Sequence, residues 1–163
     1  MSAFIQFTDA DTRRLERQVK ASEGFRLTAY RCTAGALTIG YGHNCDASPV
    51  DGVTRVGDSI TREEAERLFQ TDLTNAVGQV RRALPWVTKL SPPRQAVLYD
   101  MAFNMGIGIP GVSGLLSFRN TLKFIEDGNY SAAARGMLAS KWAGQVKGRA
   151  NKLATQLDTG EWQ

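Results

Sequence analysis

Residues 23–44 read Glu23-Gly24-Phe25-Arg26-Leu27-Thr28-Ala29-Tyr30-Arg31-Cys32-Thr33-Ala34-Gly35-Ala36-Leu37-Thr38-Ile39-Gly40-Tyr41-Gly42-His43-Asn44. Tyr30, Cys32, Leu37 and Ile39 suggest two short strands, and Thr33-Ala34-Gly35 supplies the turn of a hairpin. Upstream, residues 9–22 read as an amphipathic helix, with Thr8 or Asp9 as its cap and Leu15 and Val19 on one face. Ser22-Glu23-Gly24 closes that helix, Gly24 being expected at a positive φ after the last turn. Glu23 is thereby placed at a rigid helix end, just ahead of the hairpin.

Residues 44–59 are rich in Asp, Ser, Pro and Gly and read as a long loop, with one more short strand expected at 53–56. Thr61-Arg62-Glu63-Glu64 fits a capping box, hydroxyl first and Glu three positions on. Apolar residues then recur at helical spacing from Ala65 to Leu84, which predicts a helix of about 20 residues, about 30 Å long, ending before Pro85. Ser91-Pro92-Pro93 starts the next helix, and Ala96, Val97, Leu98, Met101, Ala102 and Phe103 cover most of its circumference, as a buried core helix requires. Gly106, Gly108, Pro110 and Gly111 stop it. Shorter helices are expected at about 115–125, 130–139 and 148–158. The class is α+β, mainly α. One domain is expected, with a small lobe at about 22–60, a connecting helix at about 61–83, and a helical lobe at about 84–163 that takes in the N-terminal helix.

A chain of 163 residues is long enough to bury roughly two thirds of its unfolded surface without a metal or disulfide. The net charge is +4 and unevenly spread: residues 1–80 carry 9 basic and 11 acidic side chains, residues 81–163 carry 11 and 5. A basic C-terminal half favours a polyanion such as nucleic acid or an anionic cell wall, but there is no dense basic run or nucleic-acid motif. Cys32 and Cys45 make no disulfide framework; their 13-residue separation could close as a bridge that blocks Cys32, but a reducing cytoplasm favours two free thiols. The start of the chain lacks a basic, apolar signal pattern, and no segment approaches the roughly 20 apolar residues of a membrane span. The expectation is accumulation in the cytoplasm.

Chemistry gathers around Glu23, Cys32 and Thr38. An acid at a helix end, followed by a thiol and a hydroxyl on a hairpin, suits glycoside hydrolysis, in which one group protonates the leaving oxygen and another steers water or stabilises charge opposite. His43, the only histidine, stands without the Cys/Asp cluster that zinc would need. Glu23, eight residues, Cys32, five residues, Thr38 and then Gly40-Tyr41-Gly42-His43 resemble the phage-type lysozymes, endolysins of glycoside hydrolase family 24. Further likeness runs through Ile60-Thr61-Arg62-Glu63-Glu64-Ala65, Leu68-Phe69 with Asp72, Ala102-Phe103-Asn104-Met105-Gly106, Ser140-Lys141-Trp142, Gly148-Arg149-Ala150 and Thr159-Gly160-Glu161-Trp162.

The resemblance implies a lysozyme-like two-lobed fold and a muramidase cutting the β-1,4 bond between N-acetylmuramic acid and N-acetylglucosamine. It makes Glu23 the general acid, kept protonated by partial burial. The position of Cys32 is often Asp in the family, where the carboxylate positions water with the help of Thr38. A thiol titrates near 8.5. Cys32 therefore either ionises in the site or fits the space while Thr38 and water act; a buried apolar filler is the third reading. The resemblance further pairs His43 structurally with Asp72, sets Arg149 facing the acid, and makes Phe103 and Asn104 the cleft wall that contacts sugars. Asn44 and Thr121 fall at weaker substrate positions, and another is occupied by Gly136, which offers no side chain. Phe103 fits equally as core, and Trp142 reads as a core aromatic. No cofactor or metal is expected.

A lytic transglycosylase is the near rival, since it needs one Glu and no second carboxylate; a catalytically inactive wall-binding module is another. The expected partners are peptidoglycan and, for release from the host cytoplasm to the periplasmic wall, a holin. No nucleic acid and no membrane insertion are expected, and the chain is expected to be a monomer.

Overall fold

The computed structural model describes residues 6–163; Met1–Ile5 of the signal-peptide reading lie outside the described residues. Seven α-helices and one three-stranded antiparallel sheet are present among them, in the order α1 (Asp9–Ser22), β1 (Arg26–Arg31), β2 (Leu37–Gly40), β3 (His43–Asn44), α2 (Arg62–Ala83), α3 (Pro92–Met105), α4 (Arg119–Glu126), α5 (Tyr130–Leu138), α6 (Lys141–Val146) and α7 (Gly148–Thr159). The class is α+β and mainly α. The chain divides into two units: residues 16–75, and residues 1–15 with 76–163. The divisions fall inside α1 and α2.

Local chemistry sets the start of α1, which lies in the second unit, and that of α2, which lies in the first. Thr8 and Asp11 cap α1 reciprocally, Asp11 N–H donating to Thr8 Oγ1 at 3.2 Å and Thr8 N–H to Asp11 Oδ2 at 2.9 Å. At α2 the expected box forms, Glu64 N–H to Thr61 Oγ1 at 3.1 Å and Thr61 N–H to Glu64 Oε2 at 3.2 Å. Strand β2 pairs with β1 through Tyr30↔Thr38 and Arg31↔Leu37, and with β3 through Thr38↔Asn44 and Ile39↔His43. All four residues of β2 are buried. Ala29, Leu37, Ile39, Cys45, Val53, Ile60 and Ala65 form the core beneath the sheet.

Two expectations fail here. Gly24 is absent from the positive-φ glycines; α1 simply runs into extended chain after Glu23 N–H bonds Val19 O at 3.0 Å. No strand forms at 53–56. The Asp58 carboxylate accepts from Thr54 N–H (2.8 Å) and Arg55 N–H (3.1 Å) and bends this stretch into a turn. Those two bonds hold its pKa below the ordinary aspartate value.

The second unit is helical. Every position of α3 from Gln95 to Ala102 is buried, and the helix stops at Gly106 with φ 79°. A 3-10 turn at Pro85–Lys89 follows α2. The helix expected at 115–125 is broken: Leu115–Ser117 is a 3-10 turn and α4 begins only after Phe118, whose ψ of 56° is not helical. Helix α6 was not anticipated; Ser140 caps it by accepting from Ala143 N–H at 3.2 Å. Lys147, at φ 50°, separates it from α7.

Candidate functional site

Glu23 follows the last turn of α1 and is half-buried. The chain leaves β2 through Gly40 (φ 66°), Tyr41 and Gly42 (φ 82°) before entering β3. A Cβ on Gly42 would lie 3.0 Å from Glu23 Oε2, so the bare α-carbon makes room for the carboxylate. Gly42 is two residues from Asn44, which pairs with Thr38. Strand spacing of about 5 Å and about 3.3 Å per residue therefore hold Gly42 within about 12 Å of Thr38. One small sheet thus supports both the acid and the thiol–hydroxyl pair.

Cys32 sits at the hairpin turn, half-exposed. Its N–H bonds Ala36 O at 3.0 Å, and its carbonyl accepts from Gly35 N–H at 2.8 Å. Thr38 is buried, and its Oγ1 donates to Ala36 O at 2.9 Å. The Thr38 hydroxyl holds the Cys32 thiol below its ordinary pKa, helped by the backbone of Ala36, Ala34 and Gly35 and opposed by burial. Thr38 has a single proton, so supporting a thiolate means turning it away from Ala36 O. Hydroxyl rotation is inexpensive.

Cys45 lies on the other side of the matter. Its N–H bonds Leu37 O, one position along from the partner of Cys32, and successive strand positions point to opposite faces. Cys45 enters the core, where burial, then the charges of Asp46 and Asp72, raise its pKa. Both cysteines are free thiols.

His43 is buried with Nδ1 2.8 Å from Asp72 Oδ2 and Nε2 2.8 Å from Ser48 O. Asn44 is exposed, and its Oδ1 accepts from Asp46 and Ala47 N–H, both at 3.0 Å. That oxygen is committed to closing the loop.

In the helical unit Asn104 Oδ1 accepts from Trp142 Nε1 at 2.8 Å. Trp142 is buried, edge-on to Phe118, as a core aromatic should be. It also lines a cleft of about 410 Å³ with Met105, Ser117 and Lys141. Phe103 is half-buried. Thr121 is buried, and a Cβ on Gly136 would lie 2.6 Å from its Oγ1, so these two positions abut. Arg149 Nε donates to Asp100 Oδ1 at 2.9 Å, with Nη2 2.7 Å from the same oxygen; Asp100 is fully buried.

A family model described as phage lysozyme matches residues 20–156. The chain belongs to the phage lysozyme family. It is 30% identical to "Probable T4-type lysozyme 1" of Dictyostelium discoideum, over 90% of this chain and 94% of that one. It is 31% identical to an "Endolysin" of Acyrthosiphon pisum secondary endosymbiont phage 1, over 83% and 82%. It is also 29% identical to the "Pre-baseplate central spike protein Gp5" of Enterobacteria phage T4, over 90% of this chain but only 28% of the spike protein. As a member of this family the chain is a lysozyme-type enzyme.

In this lysozyme-type chain Asp100 went unremarked in the sequence, and Gly42 stood out only as one of two nearby glycines. Asp100 stands alone among the apolar side chains from Ala96 to Phe103, and an acid on an all-buried helix has to be paired; that was the available signal. Gly42 was visible as part of a glycine pair, but its contact with Glu23 depends on the turn geometry.

Proposed function

We propose that this chain is an endolysin that hydrolyses the β-1,4 bond between N-acetylmuramic acid and N-acetylglucosamine, lysing the host for phage release. The observation that carries this reading is the Glu23 carboxylate seated on bare Gly42, on the sheet that also holds Cys32 beside Thr38. Glu23 gives its proton to the glycosidic oxygen as the bond to C1 breaks. Water adds to C1 from the opposite face and loses its proton toward Cys32. A thiolate there, favoured by Thr38 and the turn backbone, offsets the positive charge that develops on the ring. Phe103 and Asn104 contact the sugars, with lesser parts for Thr121 and Asn44. His43 and Asp72 brace the sheet against α2. In this reading the enzyme gathers in the host cytoplasm and reaches the wall through a holin-made opening.

The likeness to a spike protein of which the chain covers 28% supports a second setting, a wall-cutting domain carried on a phage particle. The chemistry is the same in both.

Mass spectrometry of purified peptidoglycan digested by the parent, Glu23→Gln and Cys32→Asp tests the assignment. Reducing muramic ends are expected from the parent, and 1,6-anhydro ends would make it a transglycosylase. Glu23→Gln should lower the rate roughly 10³-fold with an unchanged melting temperature; an active Glu23→Gln protein ends the proposal. Cys32→Asp should keep most activity and move the acidic limb of the pH profile down, because a carboxyl titrates near 3.9 and a thiol near 8.5.

A further inference from the structure

Between α3 and the Leu115 turn, residues 106–114 read Gly106-Ile107-Gly108-Ile109-Pro110-Gly111-Val112-Ser113-Gly114 and have no part in the chemistry above. The waist of this loop is closed. Ile109 and Ser113 exchange both backbone hydrogen bonds at 3.1 Å, and Leu115 and Leu116 N–H bond Gly106 O and Ile107 O at 2.9 Å. A Cβ on Gly108 would collide with Ser113 O, and one on Gly114 would lie 2.7 Å from Gly106 O. These bonds and close approaches fix the path of the loop. At its tip Ile109 is 59% and Val112 74% exposed, more than any other large apolar residue among those described. Pro110 lies between them.

Basic side chains follow directly. A Cβ on Gly111 would lie 3.0 Å from Arg119 Cζ, so that guanidinium rests against the tip. One turn along α4, Lys123 and Phe124 face solvent, Lys123 standing 3.3 Å from Asp127. The patch ends at the exposed acids Glu126 and Asp127.

We infer that this tip docks on an anionic lipid surface, with Ile109, Pro110 and Val112 entering the interface and Arg119 and Lys123 meeting acidic headgroups. Gly114 at the base of the loop lines the cleft of about 410 Å³ but Ile109, Pro110 and Val112 do not, and an exposed apolar tip with the Arg119 guanidinium against it suits the headgroup boundary. Charge agrees: this unit carries 13 basic and 7 acidic side chains, residues 16–75 carry 7 and 9. Such insertion is shallow. Among the described residues no helix is long and apolar enough to cross a membrane. The inference departs from the expectation of no membrane insertion, and it does not depend on the proposed reaction.

Co-sedimentation with phosphatidylcholine vesicles, with and without phosphatidylglycerol, tests it. The parent should sediment only with phosphatidylglycerol present. Ile109→Ser/Val112→Ser should lower the partition coefficient about tenfold or more, and Arg119→Gln/Lys123→Gln should lower it and flatten its dependence on phosphatidylglycerol. Both variants should melt with the parent; if the first does not, Val112→Ser alone carries the test, at the most exposed position. A parent left in the supernatant, or an apolar variant that sediments like the parent, overturns the inference. So does a parent that is dimeric in size exclusion while the apolar variant is monomeric, because the tip would then dock on a second copy.

Discussion

Residues 16–75 bury small and β-branched side chains such as Ala29, Ile39, Val53 and Ala65 under a three-stranded sheet, whereas the helical unit buries eight consecutive positions of α3, Asp100 among them. In the first, the proposed reactive groups are placed by backbone: Gly42 at φ 82° beside Glu23, and a tight turn beneath Cys32. In the second, polar side chains are locked to one another inside the core, as Arg149 is to Asp100 and Tyr99 OH to Gln95 Oε1 at 2.9 Å. The sheet unit should therefore lose rate when a methyl group is added. The helical unit should lose stability when a charge is removed.

The largest stability effect is expected at Asp100→Ala. Arg149 would keep its place in the interior, 7% exposed, without the carboxylate now 2.7 Å away. Removing one partner of a buried pair costs about 3–5 kcal/mol, to be read from urea unfolding. Asp100→Asn, which retains an acceptor, should cost less. If both unfold with the parent midpoint, the contrast between the units is wrong on the helical side.

Gly42→Ala probes the other side. The added methyl meets Glu23 Oε2 at 3.0 Å and the residue must hold φ 82°. Displacing the acid by a fraction of an ångström should lower the hydrolysis rate roughly 10²-fold, with about 1–2 kcal/mol lost in stability from the left-handed backbone. An unchanged rate would show that the acid does not rely on this turn.

The same contrast explains what was legible in the sequence. Helices α1, α2 and α3 were readable because caps, apolar spacing and prolines are local signals, and they agree with burial. The β1–β2 hairpin was readable from alternation and its turn. Strand β3 was not, since two residues carry no period; its pairing comes from the Gly40 and Gly42 turns. Helix α6 was hidden because six residues make under two turns, and because Lys147 takes a positive φ that composition does not announce. Of the site, the order Glu23, Cys32, Thr38 was visible. The neighbour that frames the acid, and the use of Asn44 and Asn104 as hydrogen-bond acceptors for Asp46, Ala47 and Trp142, depend on three-dimensional placement.

His43→Gln should have the smallest effect and can be separated by its pH dependence. Ser48 O can only accept, so Nε2 carries a proton, and Nδ1 faces the Asp72 carboxylate. The Asp72 hydrogen bond raises the His43 pKa above its ordinary value; burial opposes this and Ser48 O assists it. The unfolded imidazole titrates near 6.5. Because the folded value is the higher one, the extra stability is fully present below about pH 6.5 and is lost as pH rises through the folded pKa. Between about pH 6 and 8, below the range where an unfolded thiol ionises, the parent should weaken with rising pH while His43→Gln changes less. The substitution should cost about 2 kcal/mol at pH 6 and less at pH 8, measured by urea unfolding at each pH. A slope that survives in His43→Gln would assign the titration to another group and overturn the charged pairing of His43 with Asp72.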